Sequence, residues 1–188
     1  EDDKPISTMY YHPIDHLPSQ INEVMVTLNR CTMEGWETKL YDTNFIYDLE
    51  TTILIKNFRD NAETYKKKNP KSAYAIATSE DAFEVIKRWY SISKRKEFYD
   101  FGYTQWLCEH FKDFPDLHAR TVIDASGKAV AFSLWGELYR PEHLAIHIIS
   151  KDFGHPFLQD YLRFETYKEM LSKGFKTVND GSDVGIDG

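Results

Sequence analysis

The chain has 188 residues, 41% hydrophobic and 28% charged, which suits one domain with its own core and excludes collagen-like, low-complexity and disordered classes. No apolar run approaches the roughly 20 residues of a bilayer-spanning helix, and Glu1-Asp2-Asp3-Lys4 is unlike a signal peptide's start, so a soluble, cytoplasmic protein is expected. The net charge of -7 is segregated: 11 Lys/Arg face 5 Asp/Glu between Lys56 and Lys96, leaving 12 against 25 elsewhere, and such a basic block can collect a phosphate-bearing partner.

Residues 1–16 show no clean period and read as an arm or edge strand. From Ser19 the apolar Ile21, Val24, Met25, Leu28 and Cys31 recur at 3.6-residue spacing, predicting a helix to about Met33 that Gly35 ends. Thr38 to Tyr47 is β-branched and aromatic, suiting one or two strands. A basic helix follows from Thr52 to Lys68, stopped by Asn69-Pro70. Its Lys66-Lys67-Lys68 end reads either as a phosphate contact or as a solvated terminus opposing the dipole. Ala73–Ala77 suits a buried strand, and Ser79 offers a cap for a helix to about Ser93. A second helix covers Gln105 to Phe111. Three strands follow, Ala119–Ile123, Ala129–Trp135 and His143–Ile149, the first two joined by a hairpin loop in which Gly127 takes a left-handed position. Alternation in the third places His143, Ala145, His147 and Ile149 on one face. The widest apolar stripe marks a helix from Phe157 to Leu171 ended by Lys173 and Gly174. A strand at Phe175–Asn179 leads into a polar turn, Asn179 to Asp183.

Cys31 and Cys108 lack metal or disulfide spacing and read as buried apolar residues; Pro13 breaks any helix that would pair His12 with His16. No metal is expected. The aromatic set Trp89, Tyr90, Tyr99, Phe101, Tyr103 and Trp106 lines a pocket or, as is usual at helical spacing, fills the core.

The element order from Ser79 onward predicts an α+β domain, a mixed and mainly antiparallel sheet flanked by helices, and matches the N-acetyltransferase-like superfold. At the C-terminal end the string GFKTVNDGSDVGIDG, after the helix HPFLQDYLRFETYKEMLSK, resembles the C-terminal acyltransferase-like domain of bacterial phosphatidylglycerol lysyltransferases and their uncharacterised relatives. FRDNAETYKKK, EVIKRWY and GKAVAFSLWGEL are similar to further stretches of that family, so the resemblance spans residues 52–188. Residues 1–51 are then an arm, helix and strands completing a single domain. The sequence stops at Gly188, where the family continues with a leucine and a basic helix, so the C-terminal end of the core reads as truncated. The resemblance implies transfer of an aminoacyl group from charged tRNA, or an acyl group from acyl-CoA, to an amine or hydroxyl on a small molecule or lipid head group.

Such a transfer needs a cradle for donor phosphates, a base for the acceptor and donors for the oxyanion. Asn179, Asp180 and Asp183 are the leading catalytic candidates, with Gly181 and Ser182 beside them for substrate binding; the rival reading is a tight turn that satisfies its own backbone. His147 is a candidate base or an ordinary sheet histidine. Lys151 and Asp152 stand at the entrance of the long helix for substrate, and Arg59, Lys66 and Lys67 are assigned to donor phosphate. The turn Ser150 to Pro156 has one glycine, an acid and a proline, which weakens an acyl-CoA cradle there. A non-catalytic binding module on a degenerate acyltransferase fold is the alternative.

Overall fold

The computed structural model describes residues 7–10, 23–26, 43–92, 101–113, 117–137, 143–151 and 154–183. Two short strands, β1 (Ser7–Tyr10) and β2 (Glu23–Val26), pair in parallel from Ser7↔Glu23 to Tyr10↔Val26. The strand at Glu23–Val26 overturns the helix expected from Ser19 to Met33. In Glu-Val-Met-Val two β-branched valines alternate with longer side chains, a period of two inside a segment that also fits 3.6. Cys31, His12 and His16 lie outside the described residues.

β3 (Thr43–Asp48) runs into α1 (Leu49–Thr52), whose cap is the Asp48 carboxylate accepting from Thr51 N at 2.8 Å. The basic helix is shorter than expected. Leu54 and Ile55 donate their backbone N–H groups three residues back, to Thr51 and Thr52, and this tight turn separates α1 from α2 (Lys56–Lys68). β4 (Ala73–Ile76) and α3 (Ser79–Ile92) follow. The cap of α3 is Thr78 and not Ser79: Thr78 Oγ1 accepts from Asp81 N at 3.1 Å while Asp81 Oδ2 accepts from Thr78 N at 3.0 Å. α4 (Phe101–His110) ends in a 3-10 turn, Phe111–Asp113. The meander β5 (Leu117–Ile123), β6 (Ala129–Glu137) and β7 (His143–Lys151) leads through α5 (Leu158–Ser172) to β8 (Thr177–Asp183). The β5–β6 loop places Gly127 at φ 85°, left-handed as the hairpin requires.

Among the described residues β3 to β8 form one sheet in the order β3-β8-β7-β6-β5-β4, with β7 and β8 parallel and every other neighbour antiparallel. A parallel return needs a crossover, and α5 supplies it. One face carries α2 and α5: Ala62 and Tyr65 of α2 and Leu158, Tyr161 and Leu162 of α5 pack on Val122, Val130 and Ala131. Farther along the same face Leu49, Trp135, Tyr167, Met170 and Val178 close the core. The opposite face buries Val85 and Ile86 of α3 and Cys108 of α4 against Phe132 and Leu134. Cys108 is thus buried, as expected, and burial pushes its thiol up to about 12. Trp106, by contrast, is exposed and stacks on His110, so the aromatic set does not form one block.

Candidate functional site

Both central strands of the sheet lose each other part-way. β7 and β8 share three paired positions, His143↔Thr177, Leu144↔Val178 and Ala145↔Asn179, and then part. Beyond that point β7 continues on β6 as far as Lys151, and β8 continues on β3 as far as Asp183. A bulge marks the parting on each strand. On β7, Ile146 faces Trp135 and Ile148 faces Leu134, which leaves His147 as the inserted residue. On β8, Asn179 faces Ile46 and Ser182 faces Asn44, so Asp180 and Gly181 together oppose Phe45. Such bulges bend a strand and end its pairing, and they recur beside active sites.

These registers correct two expectations. Asn179 to Asp183 is not a turn but the continuation of β8, because β3 supplies the ladder partners that local sequence could not reveal. The strict alternation expected for the third strand also fails. The β6–β7 register shifts by one residue between Leu134 and Trp135, at His147, so a period of two does not run unbroken along the strand.

At the parting itself stand Asn179, the last residue paired to β7 and buried, and Asp180, the first beyond it. The Asp180 side chain is 5% exposed and turns toward α5, where Arg163 Nη2 lies 2.6 Å from its Oδ2. Tyr167, one turn farther along α5, donates its hydroxyl to the same carboxylate. Burial pushes Asp180 up, and although the Arg163 charge and the Tyr167 hydrogen bond pull it back, its pKa rests at about 6. The Tyr167 phenol is also raised, by burial first and by the Asp180 charge second. Asp180 Oδ1 and Arg163 Nε are buried without a hydrogen-bond partner among the described residues. A carboxylate half-satisfied in this way, and close to neutral pH in its titration, can take a proton from a bound group.

The other candidates fall in different places. His147 comes to the parting through the backbone of β7. Gly181, Ser182 and Asp183 follow Asp180 along β8, Asp183 reaching the far end opposite Thr43. Lys151 ends β7 opposite Ala131, and Asp152 lies outside the described residues. The three phosphate candidates are not gathered. Arg59 sits beside Asp60 at 3.7 Å in the first turn of α2, Lys67 pairs with Glu63 at 3.6 Å, and Lys66 donates to the Ser72 carbonyl. α2 runs antiparallel to α5, so its carboxyl end reaches the amino end of α5: Lys66 lies over the Tyr161 ring at 6.0 Å and Lys68 over Phe157 at 5.9 Å. That amino end is strained. Gly154 has φ 99° and Phe157, the cap, has φ 63°. Lys87 and Arg88, on α3, belong to the opposite face of the sheet, so the basic block makes no single wall.

Arg163 and Tyr167 were not among the sequence candidates. Their i, i+4 spacing puts both on one side of α5, but nothing in the sequence joins that side to Asp180. No group of three or more His, Cys, Asp or Glu that could hold a metal ion occurs among the described residues.

The chain shares its fold with lysylphosphatidylglycerol synthetase domains. L-PGS from Bacillus licheniformis superposes with a TM-score of 0.56 at 18% identity, over 78% of this chain and 47% of that one. The C-terminal domain of a candidate lysylphosphatidylglycerol synthetase from Agrobacterium fabrum gives 0.54 at 12% identity, over 75% and 46%. A conserved protein of unknown function from Bacteroides thetaiotaomicron gives 0.66 at 15% identity, over 78% and 52%. The chain therefore spans about half the length of each of these proteins. No protein-family model and no curated protein matches it in sequence. The architecture is the α+β arrangement expected from the element order, a mixed and mainly antiparallel sheet flanked by helices. Among the described residues no helix is long and apolar enough to cross a membrane.

Proposed function

We propose that this chain transfers an acyl or aminoacyl group from a phosphate-bearing donor, charged tRNA or acyl-CoA, to a hydroxyl or amine, in the gap where β7 and β8 part. The observation that carries this reading is the buried Asp180 carboxylate, one oxygen without a hydrogen-bond partner among the described residues, at the first position beyond the last β7–β8 pair. Its chemistry suits the first step: Oδ1 takes the proton of the acceptor as the acceptor's oxygen or nitrogen attacks the donor carbonyl carbon. Collapse of the tetrahedral adduct breaks the ester or thioester bond, and the departing ribose oxygen or sulfur receives the proton from Asp180. Asn179, its buried neighbour on β8, is assigned in this reading to the reacting carbonyl. Gly181, Ser182, Asp183, Lys151 and His147 border the gap from its two strands. For the donor phosphates, the amino end of α5 with Lys66, Lys67 and Lys68 nearby offers the positive pole of a helix beside three cations. The likeness to domains of lysylphosphatidylglycerol synthetases supports an aminoacyl donor and a lipid hydroxyl as the first pair to try.

The test is binding of charged tRNA and of acetyl-CoA to the purified chain over a salt series, followed by transfer of labelled aminoacyl or acetyl groups to lipid and amine acceptors. Asp180→Asn should keep the fold and lower transfer by about 100-fold or more, the usual contribution of a general base. If neither donor binds even at low salt, the enzyme reading falls and a non-catalytic module remains.

A further inference from the structure

Arginine and carboxylate side chains commonly meet as two forks, Nε and one Nη each donating to one oxygen. Arg163 and Asp180 do not. Nη2 meets Oδ2 at 2.6 Å, while the other two members of the fork, Nε and Oδ1, are both buried and both unpartnered among the described residues. Leaving two such groups open costs on the order of 1–3 kcal/mol each unless something bound there completes them. The pair is therefore held end-on, with one donor and one acceptor left unpaired and out of reach of water.

We infer that Arg163 is a positioning residue for Asp180: it grips the carboxylate by Oδ2 alone, from the side of α5, and so keeps Oδ1 bare toward the group that gives up its proton. The inference rests on the reading of Asp180 as the base. The described side chains around Asp180 come from three elements besides β8 itself. From α5 come Arg163 and Tyr167, and from β3 comes Tyr47 near Tyr167. Phe58 of α2, 5.9 Å from Tyr167, closes that side without charge. Arg163 is thus the cation acting on Asp180 among the described residues. Tyr167 satisfies part of the carboxylate but cannot supply the charge.

Titration of the Asp180 carboxyl carbon by NMR, with Asp180→Asn assigning the signal, tests this without any donor or acceptor. In Arg163→Met the midpoint should rise by about one pH unit or more, as expected when an opposite charge at contact is removed. Arg163→Lys, which restores a cation but not the fork, should bring it back most of the way. Arg163→Gln serves where methionine unfolds the protein. A midpoint that stays at the wild-type value in the neutral variants overturns the inference whatever becomes of the transferase reading. A midpoint that moves and is rescued by lysine upholds it even if the donors tried above fail to bind.

Discussion

Asp180 is expensive to keep ionised inside the sheet. Its pKa of about 6 lies above the ordinary 3.8, because burial outweighs Arg163 and Tyr167. The folded state therefore holds that proton more tightly than the unfolded chain does. The associated stability is present in full below about pH 4 and is lost as pH rises through about 6. Asp180→Asn removes the penalty, and Arg163, whose side chain is 30% exposed, can turn to water. Wild type should lose on the order of 1–2 kcal/mol relative to Asp180→Asn between about pH 5 and about pH 8, measured by urea unfolding at each pH. A constant difference would mean that the carboxylate is not desolvated. Glu169 is the contrast. Burial pushes it up as well, but hydrogen bonds from Arg120 and Tyr74 outweigh burial and hold it below its usual value. That carboxylate is satisfied on both oxygens, whereas Asp180 is satisfied on one. Asp180 was visible in the sequence as a short polar side chain near glycines. Its partners were not, since only the fold brings residue 163 beside residue 180.

At the level of elements, the backbone ahead of α5 stores strain where a donor's phosphates would approach. Gly154 and Phe157 both have positive φ, and a methyl group added at Gly154 would meet nothing within 4 Å. The cost of Gly154→Ala is thus purely conformational, about 1 kcal/mol in thermal or urea unfolding, with no steric component. A larger loss would show that the turn is packed and not open. Local patterning was enough to locate α3, α5 and the β5–β6–β7 meander, since each carries its own period, cap or turn residue. It failed at Glu23–Val26, where a two-residue and a 3.6-residue period coexist. It failed again at Asn179–Asp183, where glycine and short polar residues suggest a turn and pairing with β3 imposes a strand. Bulges are equally hidden, because an inserted residue is defined by its neighbour strand.

For the whole molecule, the sheet decides what the charge segregation means. The basic block between Lys56 and Lys96 is continuous in sequence, yet α2 and α3 pack on opposite faces, so its lysines look in opposite directions. Only the α2 end adjoins the amino end of α5, through Lys68 over Phe157 and Lys66 over Tyr161. Lys66 is bound to the Ser72 carbonyl, which makes it a poor probe. Lys67 is 78% exposed, and its pair with Glu63 is worth little in water. The double variant Lys67→Glu/Lys68→Glu should therefore weaken binding of charged tRNA without affecting the fold. It should also flatten the dependence of log K on log salt by roughly 0.7–0.9 for each phosphate that the protein no longer neutralises. Lys87→Glu makes half that charge change on the α3 face, where Lys87 lies over Phe83. It should leave both affinity and slope nearly unchanged. Equal effects per unit of charge from the two faces would mean that tRNA meets the protein as a diffuse polyanion, with no preference for the amino end of α5.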